Sequence, residues 1–160
     1  MSSQQTTSTK SNLALYLARV DTSLGLPKSS DRRIPTSKAQ PSAETHALYC
    51  TFLDQFNELR LDDTVLLHMG VLVRKVLASK MVSLTRKSFR KLTAVCLFLS
   101  IKYVVDEYVL FLEDFEKLSG MNRETLAVLE TTILVDVMKF EVNFSSEEIK
   151  LEERRLAAQA

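Results

Sequence analysis

The chain has 160 residues, of which 46% are hydrophobic and 26% are charged, and its formal net charge is +1 at pH 7. This length suits one folded domain with additional terminal segments, and the small net charge excludes a strong overall attraction to nucleic acid or to a membrane surface. Only three glycines and three prolines occur, and no proline follows Pro41. Such a composition favours an all-α fold of long helices over a fold built from sheets.

The first 43 residues are rich in serine, threonine, glutamine and lysine. We expect residues 1–43 to form a flexible N-terminal arm, in which residues 12–24 can form a short helix and residues 28–43 are a linker. The first ten residues lack the apolar core of a secretory signal peptide, so a location in the nucleus or cytoplasm is expected. Because residues 1–20 contain no acidic side chain, mitochondrial import stays open.

Apolar residues at three- and four-residue steps predict the first helices of a domain over residues 44–143. The first helix carries the apolar positions between Leu48 and Leu59, and the second begins at the aspartates of positions 62–63. The third runs from about Lys87 to Val104. Every residue from Ala94 to Leu99 is apolar, so we expect this helix to be central and surrounded by protein.

Shorter helices are predicted after the central one. The fourth covers Glu113–Ser119, and the fifth begins after Asn122, a good N-cap residue. Met121 and Leu126 have the spacing of a hydrophobic staple around that cap. We expect residues 144–160 to form a C-terminal surface helix or a tail, which starts at Ser145 or Ser146 and has Glu147 and Glu148 in its first turn.

The sequence contains no pattern that indicates catalysis. The glycines are scattered, which excludes a phosphate-binding loop, and His46 and His68 stand alone, which argues against a zinc site. Cys50 and Cys96 lie in apolar helical patterns and are expected to be reduced and buried. The longest apolar run, residues 92–101, is too short to span a bilayer. We therefore expect a binding protein and not an enzyme, with no metal, no cofactor and no membrane contact.

Two charged residues stand out because they lie within strongly apolar helical segments. Lys102 ends the third predicted helix, and Glu130 lies 28 residues later, in the fifth. Burying an isolated charge is costly, so residues of this kind are paired with each other or used to bind a partner.

The pattern around these two residues resembles a cyclin box, a five-helix fold built around a central apolar helix. The resemblance covers roughly residues 47–142 as a single box and is strongest from Leu92 onward. In the family, small and apolar residues of the third helix lead to Ser-Lys-aromatic, and this chain has the segment LSIKY at residues 99–103. The family's fifth helix carries a glutamate, a leucine four residues later, and then an aromatic and an aliphatic residue. The corresponding residues here are Glu130, Leu134, Phe140 and Val142.

The resemblance implies a regulatory subunit that binds and activates a cyclin-dependent serine/threonine protein kinase. In cyclins, the lysine and the glutamate hydrogen-bond to the kinase backbone, and the hydrophobic positions pack against the kinase's regulatory helix. The spacing of Asp106 and Tyr108, together with Gly120, is most similar to the P/U-type cyclins, which are linked to phosphate signalling. The implied kinase-binding residues are Lys102, Tyr103, Glu130, Leu134, Phe140 and Val142.

The chain also departs from the family pattern. It has no tryptophan, so the family's substrate-docking patch is missing. Arg74 stands near the position of an aspartate that pairs with an arginine in other cyclins, and Glu44 is the candidate mate. These departures keep an alternative open, in which the chain is a structural or scaffold subunit of a larger assembly without kinase regulation.

A basic cluster lies at the junction of the second and third predicted helices. Between Thr64 and Val105 the chain has eight basic residues and no acidic one. Four of them can either form a solvated surface or bind a phosphorylated or acidic protein segment. Nucleic acid is a weaker alternative, because Phe89 is the only aromatic residue among the charges. The four residues are Arg86, Lys87, Arg90 and Lys91.

Overall fold

A computed structural model describes residues 2–25, 40–54, 62–79, 84–104, 116–117 and 119–159. Within these ranges the chain contains helices and turns and no strand, so the prediction of an all-α fold is confirmed. After the fifth α-helix the chain continues directly into a π-helical segment, Thr132–Val137. The α-helices are α1 Ser2–Leu24, α2 Ala43–Asp54, α3 Asp63–Ser79, α4 Arg86–Val104, α5 Arg123–Thr131 and α6 Ser146–Ala157.

Helix α4 lies in the middle of the core. Each residue from Leu92 to Ile101 is buried, which includes the apolar run that predicted a central helix. Its main neighbour is α3, which is itself buried continuously from Val65 to Val73. Cys96 lies in this interior, and burial raises the pKa of its thiol.

Helix α1 belongs to the folded domain. The sequence predicted a flexible arm over residues 1–43 with a short helix at residues 12–24, whereas α1 has 23 residues and packs against α2, α3, α4 and α6. The physical reason is a stripe at helical spacing that includes Leu13, Leu17 and Val20, all with no exposed surface. Most of the predicted linker lies outside the described residues.

The predicted helix starts agree with the structure in the second half of the chain. Asn122 is the N-cap of α5 and accepts a hydrogen bond of 2.8 Å from the Thr125 N–H. Ser145 and Glu148 form a capping box at the start of α6. The predicted fourth helix, Glu113–Ser119, lies largely outside the described residues.

Helix α6 is attached to the domain through a buried ion pair. Glu152 accepts a hydrogen bond of 2.5 Å from Arg74 Nε, so the expected pairing of Arg74 with Glu44 is wrong. Gly70 makes room for this contact, because a Cβ atom there would lie 2.6 Å from Glu152 Oε1. The Arg74 guanidinium also lies 4.0 Å from the centre of the Tyr16 ring. One residue of α3 thereby contacts both terminal helices.

Candidate partner-binding site

Lys102 and Glu130 meet at the protein surface. Lys102 Nζ lies 2.8 Å from Glu130 Oε1, and the two side chains are 41% and 21% exposed. The pair connects the end of α4 with the end of α5, and Lys102 Nζ also lies 5.3 Å from the centre of the Phe98 ring. Both charges therefore keep contact with water, which removes the penalty expected for burial in an apolar helix.

The chain widens into a π-helix immediately after Glu130 and Thr131. The Met138 N–H donates to the Ile133 carbonyl at 2.8 Å, which is the five-residue step of a π-helix. Such segments are short and occur often at functional sites. Leu134 lies in this segment, half-buried at the edge of the core.

A turn with unusual backbone angles follows the π-helix. Lys139 and Phe140 have φ values of +50° and +65°, in the left-handed region that side-chain-bearing residues rarely adopt. The Phe140 N–H donates to the Leu134 carbonyl at 2.9 Å, which holds the turn against the π-helix. The Phe140 side chain is 64% exposed. The turn therefore combines an unfavourable backbone conformation at Lys139 and Phe140 with an apolar ring that is exposed to water.

His68 holds the segment that follows this turn. Its Nε2 donates to the Val142 carbonyl at 2.7 Å, and Nδ1 lies 2.7 Å from the hydroxyl oxygen of Ser100. Burial lowers the pKa of His68 even though the bond to Val142 acts in the opposite direction, and in the neutral ring that burial favours the Ser100 hydroxyl donates to Nδ1. The ring also packs against Phe144, with centroids 4.6 Å apart. Although His68 looked isolated in the sequence, the fold gives both of its ring nitrogens a partner.

Val142 is another of the predicted kinase-binding residues. Its side chain is only 2% exposed and belongs to the core, because the bond from His68 fixes its backbone against α3. The remaining predicted residues lie on α4, α5, the π-helix and the turn. Tyr103 is exposed next to Lys102.

Two exposed apolar residues of this region were missed by the sequence analysis. Val128 and Val135 are both exposed, one on α5 and one on the π-helix. They are seven residues apart, a spacing that would place them on one side of a continuous α-helix. Their position outside the core stripe of the predicted fifth helix was the sequence signal that could have identified them as exposed apolar residues.

The basic cluster divides into two kinds of residue. Arg86 Nε lies 2.6 Å from Asp21 Oδ1 and Arg90 Nε lies 2.9 Å from Asp21 Oδ2, so both arginines pair with one buried carboxylate. Lys87 and Lys91 are exposed on the outside of α4. The sequence analysis missed Asp21 because it assigned that residue to the arm.

Neither a metal site nor a membrane-spanning helix is found in the described part of the chain. No three histidine, cysteine, aspartate or glutamate residues there form a group that could hold a metal ion. None of the helices described has the length and apolar character needed to cross a bilayer. No protein-family model, curated protein or solved structure matches this chain. The surface around Lys102 and Glu130 is the main candidate for binding a partner within the described residues.

Proposed function

We propose that this protein is a cyclin-like regulatory subunit that binds and activates a cyclin-dependent serine/threonine protein kinase. The observation that carries the proposal is the surface ion pair between Lys102 and Glu130, on elements that also carry exposed apolar side chains. We name this surface the α4–α5 face. It consists of Lys102, Tyr103, Val128, Glu130, Leu134, Val135 and Phe140.

The chemistry of the α4–α5 face suits a partner that presents both apolar side chains and backbone groups. An ammonium group has three N–H donors and a carboxylate has two acceptor oxygens, so one mutual bond leaves both groups able to bind further. Their pairing fixes the orientation of the two side chains before the partner arrives, which lowers the entropy cost of binding. Phe140 and Tyr103 supply the aromatic anchors that dominate many interfaces.

Activation in this proposal is a shift in the kinase's own conformational equilibrium. The kinase carries out the phosphoryl transfer, and its regulatory helix must be placed correctly for the catalytic lysine–glutamate pair to form. A subunit that binds the active arrangement more tightly than the inactive one raises its population. A rigid helical face with apolar anchors can bind such a helix in this way.

A scaffold function is the second candidate, and the ion pair itself favours it. Lys102 and Glu130 already join α4 to α5 within the chain. A structural tie between two helices would need no external partner. The two functions differ in what happens when the charges are exchanged.

The decisive experiment recovers the tagged protein from its own cells, identifies the bound proteins by mass spectrometry and assays kinase activity on the beads. The variant Lys102→Glu/Glu130→Lys preserves the internal pair but inverts the charges offered to a partner. We expect it to lose a kinase that the wild-type protein retains. The matched control is Lys10→Asp/Asp54→Lys, which exchanges another surface pair, at 2.6 Å on α1 and α2.

The outcomes separate the two candidates. Loss of a cyclin-dependent kinase from the Lys102/Glu130 exchange but not from the control supports a regulatory subunit acting through the α4–α5 face. If the exchange variant keeps an active kinase, the assigned face is wrong. Recovery of a large complex without kinase, unchanged by the exchange, would favour the scaffold.

A further inference from the structure

A second surface of the molecule has the composition of an anion site. A cavity of about 560 Å³ lies where α1, α2 and α4 meet, at the opposite end of α4 from Lys102. The residues that matter to its chemistry are Thr22, Ser42, Thr45, Leu48, Arg86 and Arg90. Part of the basic cluster predicted from the sequence thus lines this cavity.

The two arginines are held in place by the buried carboxylate of Asp21. Each guanidinium uses its Nε to bond Asp21, at 2.6 Å from Arg86 and 2.9 Å from Arg90. Tyr49 donates a third hydrogen bond to the same carboxylate, at 2.6 Å. A guanidinium has five N–H donors, so each arginine keeps terminal N–H groups that Asp21 does not use. The two guanidinium charges exceed the charge of Asp21 by one, an excess that the carboxylate of Glu44 in the same lining can offset.

Hydroxyl groups complete the cavity. Thr45 Oγ1 accepts a hydrogen bond of 3.3 Å from Arg86 Nη2 and lies 3.0 Å from Ser42 Oγ. The hydroxyl oxygen of Thr22, which also lines the cavity, is buried and has no hydrogen-bond partner within the described part of the chain. Buried hydroxyls normally find a partner. Guanidinium and hydroxyl groups together are typical of sites that bind phosphate oxygens.

We propose that this cavity binds the phosphate group of a phosphoserine or phosphothreonine in a partner protein. A phosphate monoester carries between −1.5 and −2 charges and three acceptor oxygens, roughly the charge and geometry that two oriented arginines recognise. The proposal does not depend on kinase binding at the α4–α5 face. Glu44 also lines the cavity and opposes an anion, so the charge of this one exposed residue limits the affinity.

A neighbouring apolar pocket favours a protein segment over free phosphate. This pocket of about 150 Å³ shares Leu48 and Arg90 with the larger cavity and is also lined by Phe52 and Ala94. Leu48 is exposed between the two spaces. A phosphorylated residue followed by an apolar side chain can fill both, whereas inorganic phosphate leaves the apolar pocket empty.

The test is a titration of the full chain followed by the NMR signals of the Arg86 and Arg90 Nε–H groups. The probes are inorganic phosphate, N-acetyl-phosphothreonine amide and N-acetyl-phosphothreonyl-leucine amide. We expect saturable shifts of both arginine signals, with the leucine-containing probe binding several-fold more tightly than inorganic phosphate. The unphosphorylated dipeptide should cause no saturable shift.

Four variants distinguish a loss of phosphate binding from a loss of the folded structure. Arg90→Gln leaves Arg86 paired with Asp21, and we expect about tenfold weaker binding of the leucine-containing probe. Leu48→Ala should weaken that probe and leave inorganic phosphate unchanged. Glu44→Gln should strengthen binding of all phosphorylated probes, because it removes a like charge; a gain of affinity cannot result from unfolding. Lys87→Gln, on the outside of α4, is the matched control for loss of a basic residue.

Three results would overturn the proposal. The first is the absence of saturable shifts with every phosphorylated probe. The second is equal binding of inorganic phosphate and the leucine-containing probe with no effect of Leu48→Ala, which would indicate a site for free phosphate. The third is tighter binding of a single-stranded oligonucleotide than of the dipeptide, with a steep loss of affinity on adding salt.

Discussion

The hydroxyl group of Tyr49 donates a hydrogen bond of 2.6 Å to the carboxylate of Asp21, and both residues are buried. This contact joins α1 to α2, and two arginines of α4 bind the same carboxylate. Burial alone would raise the pKa of Asp21, but the hydrogen bonds from Arg90, Tyr49 and Arg86 hold it below its ordinary value. The fold therefore favours the charged form of this buried carboxylate.

The first prediction compares Asp21 with Glu152, the other buried carboxylate of the described residues. Asp21→Asn removes the charge that three donors stabilise, and we expect it to lower the free energy of unfolding by about 2 kcal/mol. Burial raises the pKa of Glu152 despite its pairing with Arg74, so folding makes this carboxylate easier to protonate than in the unfolded chain. Glu152→Gln should cost less than half as much. Urea denaturation followed by far-ultraviolet circular dichroism measures both.

Asp21 and Glu152 should change the free energy of unfolding in opposite directions as the pH falls. Asp21 has a folded pKa below its unfolded value, so its contribution is present above the unfolded pKa and is lost as the pH falls through the folded pKa. Glu152 has a folded pKa above its unfolded value, so the folded state takes up its proton first and gains stability as the pH falls through that range. An equal loss of stability in both variants at neutral pH would contradict this assignment.

The parts of the fold that were predictable from the sequence are those fixed by local chemistry. The Asn122 and Ser145 caps depend on side-chain bonds to backbone groups three residues away, and both are in place. The central position of α4 followed from an unbroken apolar run, which no helix at a surface would carry. Lys102 and Glu130 are in contact, which is one of the two alternatives that charges within apolar helices predicted.

Long-range pairing accounts for what the sequence did not reveal. Asp21 and Arg86 are 65 residues apart, and His68 and Val142 are 74 apart, so no periodic pattern connects them. α1 was assigned to an arm because its first residues are polar, while its burial depends on how α2, α3, α4 and α6 come together. The composition of α1 shows how many apolar residues it has, whereas their burial depends on which other helices pack against them.

A second prediction concerns the contact between Gly70 and Glu152. Alanine has a better helix propensity than glycine by about 1 kcal/mol, yet a Cβ atom at position 70 would lie 2.6 Å from Glu152 Oε1. We expect Gly70→Ala to destabilise the protein by about 1–3 kcal/mol, since Glu152 is buried and tied to Arg74. In a Glu152→Ala background the same change should stabilise it. A double-mutant cycle of unfolding free energies tests the coupling, and additive effects would show that the two sites do not interact.

The third prediction follows from the neutral state of His68. Burial lowers its pKa below the ordinary value of 6.5, so the unfolded chain takes up a proton before the folded protein does. The free energy of unfolding should therefore fall as the pH decreases below about 6.5 and toward the folded pKa. His68→Gln can donate to the Val142 carbonyl and accept from Ser100 without titrating. Its unfolding free energy should lack this part of the slope, and an unchanged slope would show that another group titrates.

The fourth prediction tests whether the strained turn serves the α4–α5 face. Phe140 has a φ of +65° and is 64% exposed, so Phe140→Gly should relieve backbone strain and raise the free energy of unfolding by about 1 kcal/mol. If Phe140 anchors a kinase, the same variant should recover several-fold less kinase from cells.

Lys139→Gly is the matched control, because it relieves strain at the neighbouring residue, whose φ is +50°, and keeps the Phe140 ring. We expect both variants to be more stable than the wild-type protein, and only Phe140→Gly to recover less kinase. This result would show that the turn holds Phe140 in an unfavourable conformation in order to bind the partner. Equal kinase recovery from both variants would remove Phe140 from the interface.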